Sequence, residues 1–392
     1  MFGSGAQPDP DDDDPVYPAA EATYQDVTSH GIPVRGRGSA TLNPGNRFED
    51  IRLHVLGEHI DAERAEHPSG KQIQTIALRD DSRTIINRVD SPDIPFSWSI
   101  NPYRGCEHGC IYCYARPGHE YLGMSCGLDF ETRIMVKHDA PQLLRRELAS
   151  PKWRGETIVF SGVTDCYQPL EAKLRLTRAL LEICCECRQP VSIVTKNRLV
   201  TRDIDLLSEL AKYNAAQVAI SVTSLDPKLA STMEPRASSP RDRLRAICEL
   251  ADAGIPVAVM TAPIIPGIND TELPQLLEAA AQAGAQRAGW VLLRLPYQIK
   301  ALFLDWLQRH FPDRAGRVEN AIRAMRNGEL YQAKFGERHR GVGEQARVID
   351  AMFKMYVKRY GLDNPMPRLS SAAFRRPVLD GQMGLFDCLR QW

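Results

Sequence analysis

The rhythm of hydrophobic and polar positions changes twice along the 392 residues. Through residue 45 no periodicity holds. Stretches such as "PDPDDDDP" and "GIPVRGRGSA" bury too little apolar surface to offset the entropy of ordering, so 1–45 is expected to be disordered. An N-terminal extension, 46–95, contains "TIALRDDSRTIINRV" (75–89), two strand-like runs around a turn that predict a hairpin. From 96 to 298 short apolar runs alternate with longer amphipathic ones. The strands are the run within "FSWSINPYRG" (96–105), then "TIVFSG" (157–162), "VSIVTK" (191–196), "AQVAISVTS" (216–224), "IPVAVMTAPI" (255–264) and "AGWVLLRL" (288–295). Between them "RLTRALLEICCEC", "DIDLLSELAKY", "PRDRLRAICELADAG" and "TELPQLLEAAAQAG" repeat at helical spacing. That makes six βα units. Continuously apolar strands suit a parallel sheet covered by helices, an α/β fold. Six units satisfy a doubly wound sheet and an incomplete barrel alike, and periodicity does not choose between them. The chain then turns helical and basic over 299–365 and ends in a polar tail, 366–392, expected to be flexible.

Composition changes this picture in three places. Formal net charge is zero, yet residues 1–100 carry 17 Asp/Glu against 9 Lys/Arg and residues 314–376 carry 6 against 14. The basic end is either where a phosphate-bearing partner binds or a set of helices with solvated arginine faces. No basic stretch leading into an apolar core opens the sequence, and no run of about 18 apolar residues occurs, so a cytoplasmic protein without a membrane partner is expected. Ten cysteines, unevenly placed, suit metal or redox chemistry better than a disulfide framework.

The chemistry concentrates in "NPYRGCEHGCIYCYA" (101–115). Cys106, Cys110 and Cys113 form Cys-x3-Cys-x2-Cys, in a loop whose Gly105 and Gly109 allow the thiolates to converge. Thiolates select zinc or iron–sulfur clusters. A zinc site wants a fourth ligand, for which His108 is available at an awkward spacing. Three thiolates on a 4Fe-4S cluster instead leave one iron open to a ligand that reacts. Cys184, Cys185 and Cys187 crowd one helix and read as small buried apolar residues.

This triad, with Tyr112 just before its last cysteine and a strand before it, resembles the radical S-adenosylmethionine (SAM) superfamily. "SGVTDCYQPLE", "VTKNRLVTRD", "SVTSLDP", "MEPRASSPRDRL" and "APIIPGIND" resemble its spore photoproduct lyase-like branch, also called DNA-repair-photolyase-like. The resemblance covers roughly 75–360. It implies a (β/α)6 partial TIM-type barrel with the site at the C-terminal ends of the strands. It also implies a 4Fe-4S cluster on Cys106, Cys110 and Cys113 whose open iron is chelated by SAM. Reductive cleavage would give a 5'-deoxyadenosyl radical, with electrons from a donor such as flavodoxin or ferredoxin. Carried over residue by residue, Tyr112 lies against the adenine, and Ser161, Gly162 and Thr164 receive the SAM amino group. Lys196 and Arg236 are cations for the SAM carboxylate, and Ser221 and Thr223 share a face near the ribose. Cys166 and Tyr167, at the mouth of the second strand, are the catalytic candidates. The branch's hydrogen-donating cysteine would stand where this chain has Gly162, a departure that bears on photoproduct reversal and leaves radical generation untouched.

The resemblance implies a nucleic-acid-derived substrate and a DNA-repair, lyase-like reaction, with DNA as partner. RNA, a protein side chain or a metabolite is the alternative substrate. A non-catalytic zinc or cluster-bearing nucleic-acid-binding module is the alternative of another class. In the tail, Gln382-Met383-Gly384-Leu385-Phe386 resembles the bacterial sliding-clamp-binding pentapeptide, with Gln382 at the rim and Leu385 and Phe386 in an apolar pocket.

Overall fold

The computed structural model describes residues 27–29, 33–48 and 71–379. Two short antiparallel strands come first, β1 (Val27–Ser29) and β2 (Leu42–Pro44). β3 (Ile76–Arg79) and β4 (Ile86–Arg88) stand where the alternation predicts strands, but they do not pair with each other. β4 runs antiparallel to β5 (Trp98–Ile100) at the edge of the main sheet. β6 (Tyr103–Arg104) and β3 instead flank β7 (Arg133–Val136) in a separate three-stranded sheet. The hairpin expected over 75–89 is therefore corrected to two strands in two sheets. Side chains explain the split. Asp80 accepts from the Ser82 amide at 3.0 Å and from Arg104 Nε at 2.7 Å, turning the chain away after β3. Glu147, on α1 (Ala140–Ala149), accepts the Ile85 and Ile86 amides at 2.7 and 2.9 Å and draws β4 to the main sheet.

The main sheet continues from β5 through β8 (Ile158–Phe160), β9 (Val191–Thr195), β10 (Ala216–Ser221), β11 (Val257–Ile264) and β12 (Arg287–Leu292), each parallel to the one before. This strictly sequential order excludes the doubly wound alternative, whose strand order reverses at a switch point. The fold is the six-stranded partial barrel. The helices α2 (Leu176–Cys187), α3 (Ile204–Ala211), α4 (Pro240–Asp252) and α5 (Leu273–Gln282) cover it. Along β9 and β11 buried and half-buried residues alternate. Val191, Ile193, Val257 and Val259 pack under the helices with Leu180, Leu207, Leu250 and Leu277, while Ser192, Val194, Ala258 and Met260 face the barrel interior and keep some exposure. A partial barrel leaves its inside incompletely filled, so strands that read as continuously apolar are fully buried on one face only.

Three helices follow: α6 (Ile299–His310), α7 (Ala315–Ala324) and α8 (Gly343–Arg359). Phe303, Trp306, Val318 and Ile322 form a second core with Tyr112, Met233 and Leu293. No described helix is long and apolar enough to cross a membrane.

Both expected disordered ends need correction within the described residues. Residues 33–48 are folded onto the barrel: Arg37 and Ser39 are buried, and their partners lie beside the cysteine loop. Residues 366–376 run under the N-terminal ends of the strands. Pro367 O accepts from Gln217 Nε2, the Ser370 amide donates to Asn214 O, the Arg375 amide donates to Cys187 O, and Arg376 donates to Trp153 O at 2.9 Å. Backbone groups left at the strand ends need partners, and this segment supplies them. Gln382, Leu385 and Phe386 lie outside the described residues.

Candidate active site

The cysteine loop follows β6 at the C-terminal side of the sheet. The Cys106 amide donates to Phe130 O at 2.9 Å, and the Ile111 amide to Met233 O at 3.0 Å. Gly105 and Gly109 have φ of +84° and +66°, a region costly for other residues. A Cβ on Gly109 would lie 2.7 Å from Glu131 Oε2. Beneath the loop Arg116 and Glu131, both with no side-chain exposure, pair at 2.7 Å, and Arg116 Nε donates to Cys110 O at 3.0 Å. The same Glu131 carboxylate accepts the Gly38 and Ser39 amides at 2.9 and 2.8 Å. A Cβ on Gly38 would stand 1.8 Å from Gly109 O, so only glycine permits this approach. The segment read as disordered is thus the strap that backs the thiol loop.

All three thiols are free, two buried and Cys113 half-buried. Burial raises each above the ordinary thiol range. Lys196 opposes the rise at Cys110 and at Cys113, where Arg116 acts with it. A thiol kept neutral by burial gives up its proton when metal binds. His108, the fourth ligand of the zinc alternative, is committed elsewhere: Nδ1 lies 3.4 Å from Asp165 and Nε2 3.4 Å from Asn197. Among the described residues no group of three or more His, Cys, Asp or Glu gathers as a single ion requires. The donor set is three soft thiolates with no fourth protein ligand, which fits a 4Fe-4S cluster with one open iron.

Several of the sequence-predicted cofactor residues meet around this loop. Lys196 Nζ lies 5.9 Å from the centre of the Tyr112 ring. The Tyr112 hydroxyl bonds to Glu234, which also accepts from Thr223 Oγ1 at 3.0 Å and is paired with Arg243. Arg243 and then Lys196 hold the Glu234 carboxyl below its usual range despite complete burial. Ser221 and Thr223 are both buried. Ser161 has φ +68°, uncommon outside glycine, and its Oγ accepts the Cys166 amide at 2.9 Å. Gly162 then passes so close to β5 that an added Cβ would lie 2.9 Å from Ser99 Cβ.

Other predicted residues have protein partners of their own. Thr164 Oγ1 donates to Tyr103 O at 2.7 Å and is buried, so its hydroxyl is spent on the backbone. Arg236 pairs with Glu107 at 3.2 Å. Cys166 and Tyr167 were expected at the strand mouth, but both have 0 % exposure and belong to the main core. The left-handed turn at Ser161 draws Cys166 inward, Thr177 Oγ1 holds its carbonyl at 2.6 Å, and the Tyr167 hydroxyl donates to Asp203 at 3.0 Å. Burial, followed by Asp165, pushes the Cys166 thiol well above its ordinary range.

Sequence reasoning missed Glu131, Glu234, Tyr114 and Arg294. Tyr114, directly after Cys113, is half exposed and donates to Gly162 O at 2.8 Å. The Arg294 guanidinium lies 5.5 Å from the centre of its ring. The glutamate in "MEPR", with an arginine one helix turn into the following segment, was the available signal for Glu234. Glu131 had none.

Comparison with known proteins shows the family and the fold. The family model described as "Radical SAM superfamily" matches residues 100–280. An uncharacterized protein of Mycobacterium tuberculosis is 36% identical over 244 residues, covering 62% of this chain and 72% of the relative. The radical SAM Nalpha-GlyT isomerase of Pseudomonas phage M6 is 27% identical over 217 residues, 54% of this chain and 43% of that protein. A solved spore photoproduct lyase mutant superposes with a TM-score of 0.52 at 14% identity, covering 83% of this chain and 88% of that one, a likeness of fold.

Proposed function

This chain belongs to the radical SAM superfamily, and on that premise we propose that it is an enzyme abstracting hydrogen from a nucleobase of DNA. The residues fit the cofactors of the family, a 4Fe-4S cluster on Cys106, Cys110 and Cys113 together with SAM. When bound, these supply one-electron reductive cleavage of SAM and, through it, hydrogen-atom abstraction from a substrate C–H bond. The protein's own contribution is placement. Lys196 offers a cation for the SAM carboxylate next to two of the thiols. Tyr112, fixed by Glu234, presents a ring that cannot swing away. Gly162 lets the backbone come close, and Ser221 and Thr223 add polar groups from the barrel interior.

One observation carries the substrate part of this reading. Exposed aromatic rings stand on the segments next to the cysteine loop and β12: Tyr114 directly after Cys113, Tyr121 in the connection that follows, Phe48 5.1 Å from Tyr121, and Tyr297 past the end of β12. Arg47 lies over three of them, 3.9 Å from the Tyr297 ring and 4.7 Å from the Phe48 ring. Rings with an interleaved guanidinium are a stacking platform for bases. Cys166, buried, is not assigned the donor role. Recruitment by a sliding clamp through Gln382, Leu385 and Phe386 belongs to this reading and is tested by titrating clamp with peptide 377–392.

A second reading, a substrate other than nucleic acid, is favoured by the basic C-terminal region. Arg338 is paired with Asp93 at 2.7 Å and Arg340 lies over Trp290, so two cations of the basic end are turned to the protein itself. The deciding experiment is anaerobic turnover with an oligonucleotide deuterated in its thymine methyl groups. Deuterium recovered in 5'-deoxyadenosine supports the nucleobase reading. Turnover with deuterium absent from 5'-deoxyadenosine, across single- and double-stranded oligonucleotides, rejects thymine as the abstraction site.

A further inference from the structure

We propose that the C-terminal end of β12 carries a seat for a phosphate group of the substrate, formed by Arg294 with Arg326 and His339. The inference deepens the nucleic-acid reading and rests on it for the identity of the phosphate's bearer. Among the described residues three arginines are exposed by 1 % or less: Arg116, Arg243 and Arg326. The first two are matched by buried carboxylates, Glu131 and Glu234. Arg326 is not. Its Nη1 donates to Glu337 O at 3.1 Å, its Nη2 to Leu293 O at 2.7 Å, and its buried Nε has no partner. Arg294 stands beside it with the same deficit. Nη1 lies 3.2 Å from His339 Nε2, Nη2 reaches the Tyr331 hydroxyl only at 3.5 Å, and the buried Nε has no partner. Among the described residues neither guanidinium pairs with a carboxylate. The nearby acid, Asp93, is held by Arg338 and the Gly336 amide.

Buried charge is costly unless paired, and two cations side by side add repulsion to desolvation. Burial and then Arg294 push Arg326 down to about 10, and the same two causes push His339 down to about 4. A positive, partly water-excluded corner of this kind is stabilised by one anion, met by the half-buried Arg294 guanidinium, whose planar fork suits phosphate oxygens, while Arg326, its Nη groups spent on backbone carbonyls, adds positive charge behind it. The position gives the anion a role. Arg294 lies two residues past β12 and against the Tyr114 ring, and Tyr114 adjoins Cys113 and reaches Gly162. A phosphate bound there leaves the neighbouring base over Tyr114, at the open end of the barrel.

The test titrates the reconstituted full-length protein with three probes: thymidylyl-thymidine, its uncharged methylphosphonate analogue, and inorganic phosphate. We expect the dinucleotide to bind and to lose at least tenfold in affinity both in Arg294→Gln and on removal of the phosphate charge. The two losses should not add. Arg294→Lys, keeping the charge without the fork, should lose less, and Arg245→Gln on α4 should change nothing. SAM affinity should be the same in wild type and Arg294→Gln. Arg294→Gln binding dinucleotide and inorganic phosphate like wild type overturns the seat, as does a variant that loses SAM instead, which would assign the guanidinium to the cofactor. Inorganic phosphate bound through Arg294 while the dinucleotide fails to bind upholds the seat and contradicts the nucleic-acid reading.

Discussion

Single residues decide how the thiol loop is held. Glu131 serves Arg116 and the strap amides of Gly38 and Ser39 with one buried carboxylate. Glu131→Gln leaves Arg116 without a counter-charge, and breaking such a buried pair is expected to cost about 3–5 kcal/mol, measured by urea denaturation. Gly38→Ala keeps both charges and should lift the strap, because its methyl group would collide with Gly109 O and crowd Arg116 Nη2. Limited proteolysis should then cut within 33–48 in the variant and spare the wild type, and iron should be lost faster to a chelator. The cysteines and Lys196 were legible in the sequence because spacing and strand-end position are local signals. Glu131 and Arg294 were not, since each acquires its meaning from a residue brought to it by the fold, and Glu234 left only the trace of an arginine one turn into the next helix. Cys166 was misplaced because a left-handed Ser161 cannot be read from a strand pattern.

At the scale of elements, apolar runs located all six parallel strands, and the partial barrel followed from the resemblance rather than from periodicity. The hairpin failed because pairing partners are chosen at long range: Glu147 and Arg104 lie far from the strands they redirect. The connection after the cysteine loop adds a pH dependence. His119 is 1 % exposed, its Nε2 lies 3.0 Å from Arg133 O, and burial pushes its pKa down to about 4. The folded state holds it neutral while the unfolded chain takes a proton near 6.5. Its contribution to stability is therefore complete above about pH 6.5, falls as pH drops toward 4, and falls no further below that. The loss is on the order of 3 kcal/mol. His119→Gln should destabilise less at pH 4.5 than at pH 7, a difference read from denaturant midpoints at the two values.

For the whole molecule, the two ends of the chain close opposite ends of the barrel. The strap at 33–48 backs the site, and residues 366–376 line the N-terminal ends of the strands. Phe374 lies where a Cβ on Gly155 would be 2.7 Å from its ring. A chain ending at 365 should therefore melt roughly 5 °C or more below one ending at 379. The acidic front and basic rear partly neutralise each other through Asp93 and Arg338, which leaves Arg347, Lys358 and Arg359 as exposed cations on α8. If these touch DNA, neutralising all three should flatten the salt dependence of binding by roughly one unit for each phosphate they had neutralised. The central claim, a radical SAM enzyme built on Cys106, Cys110 and Cys113, is tested most directly by 5'-deoxyadenosine formation from SAM. The protein is reconstituted anaerobically with iron and sulfide and supplied with reductant. The account predicts 5'-deoxyadenosine from wild type and none from Cys106→Ala, Cys110→Ala or Cys113→Ala. A fully loaded wild type that leaves SAM intact, or a triple alanine variant that cleaves it equally well, would contradict the account.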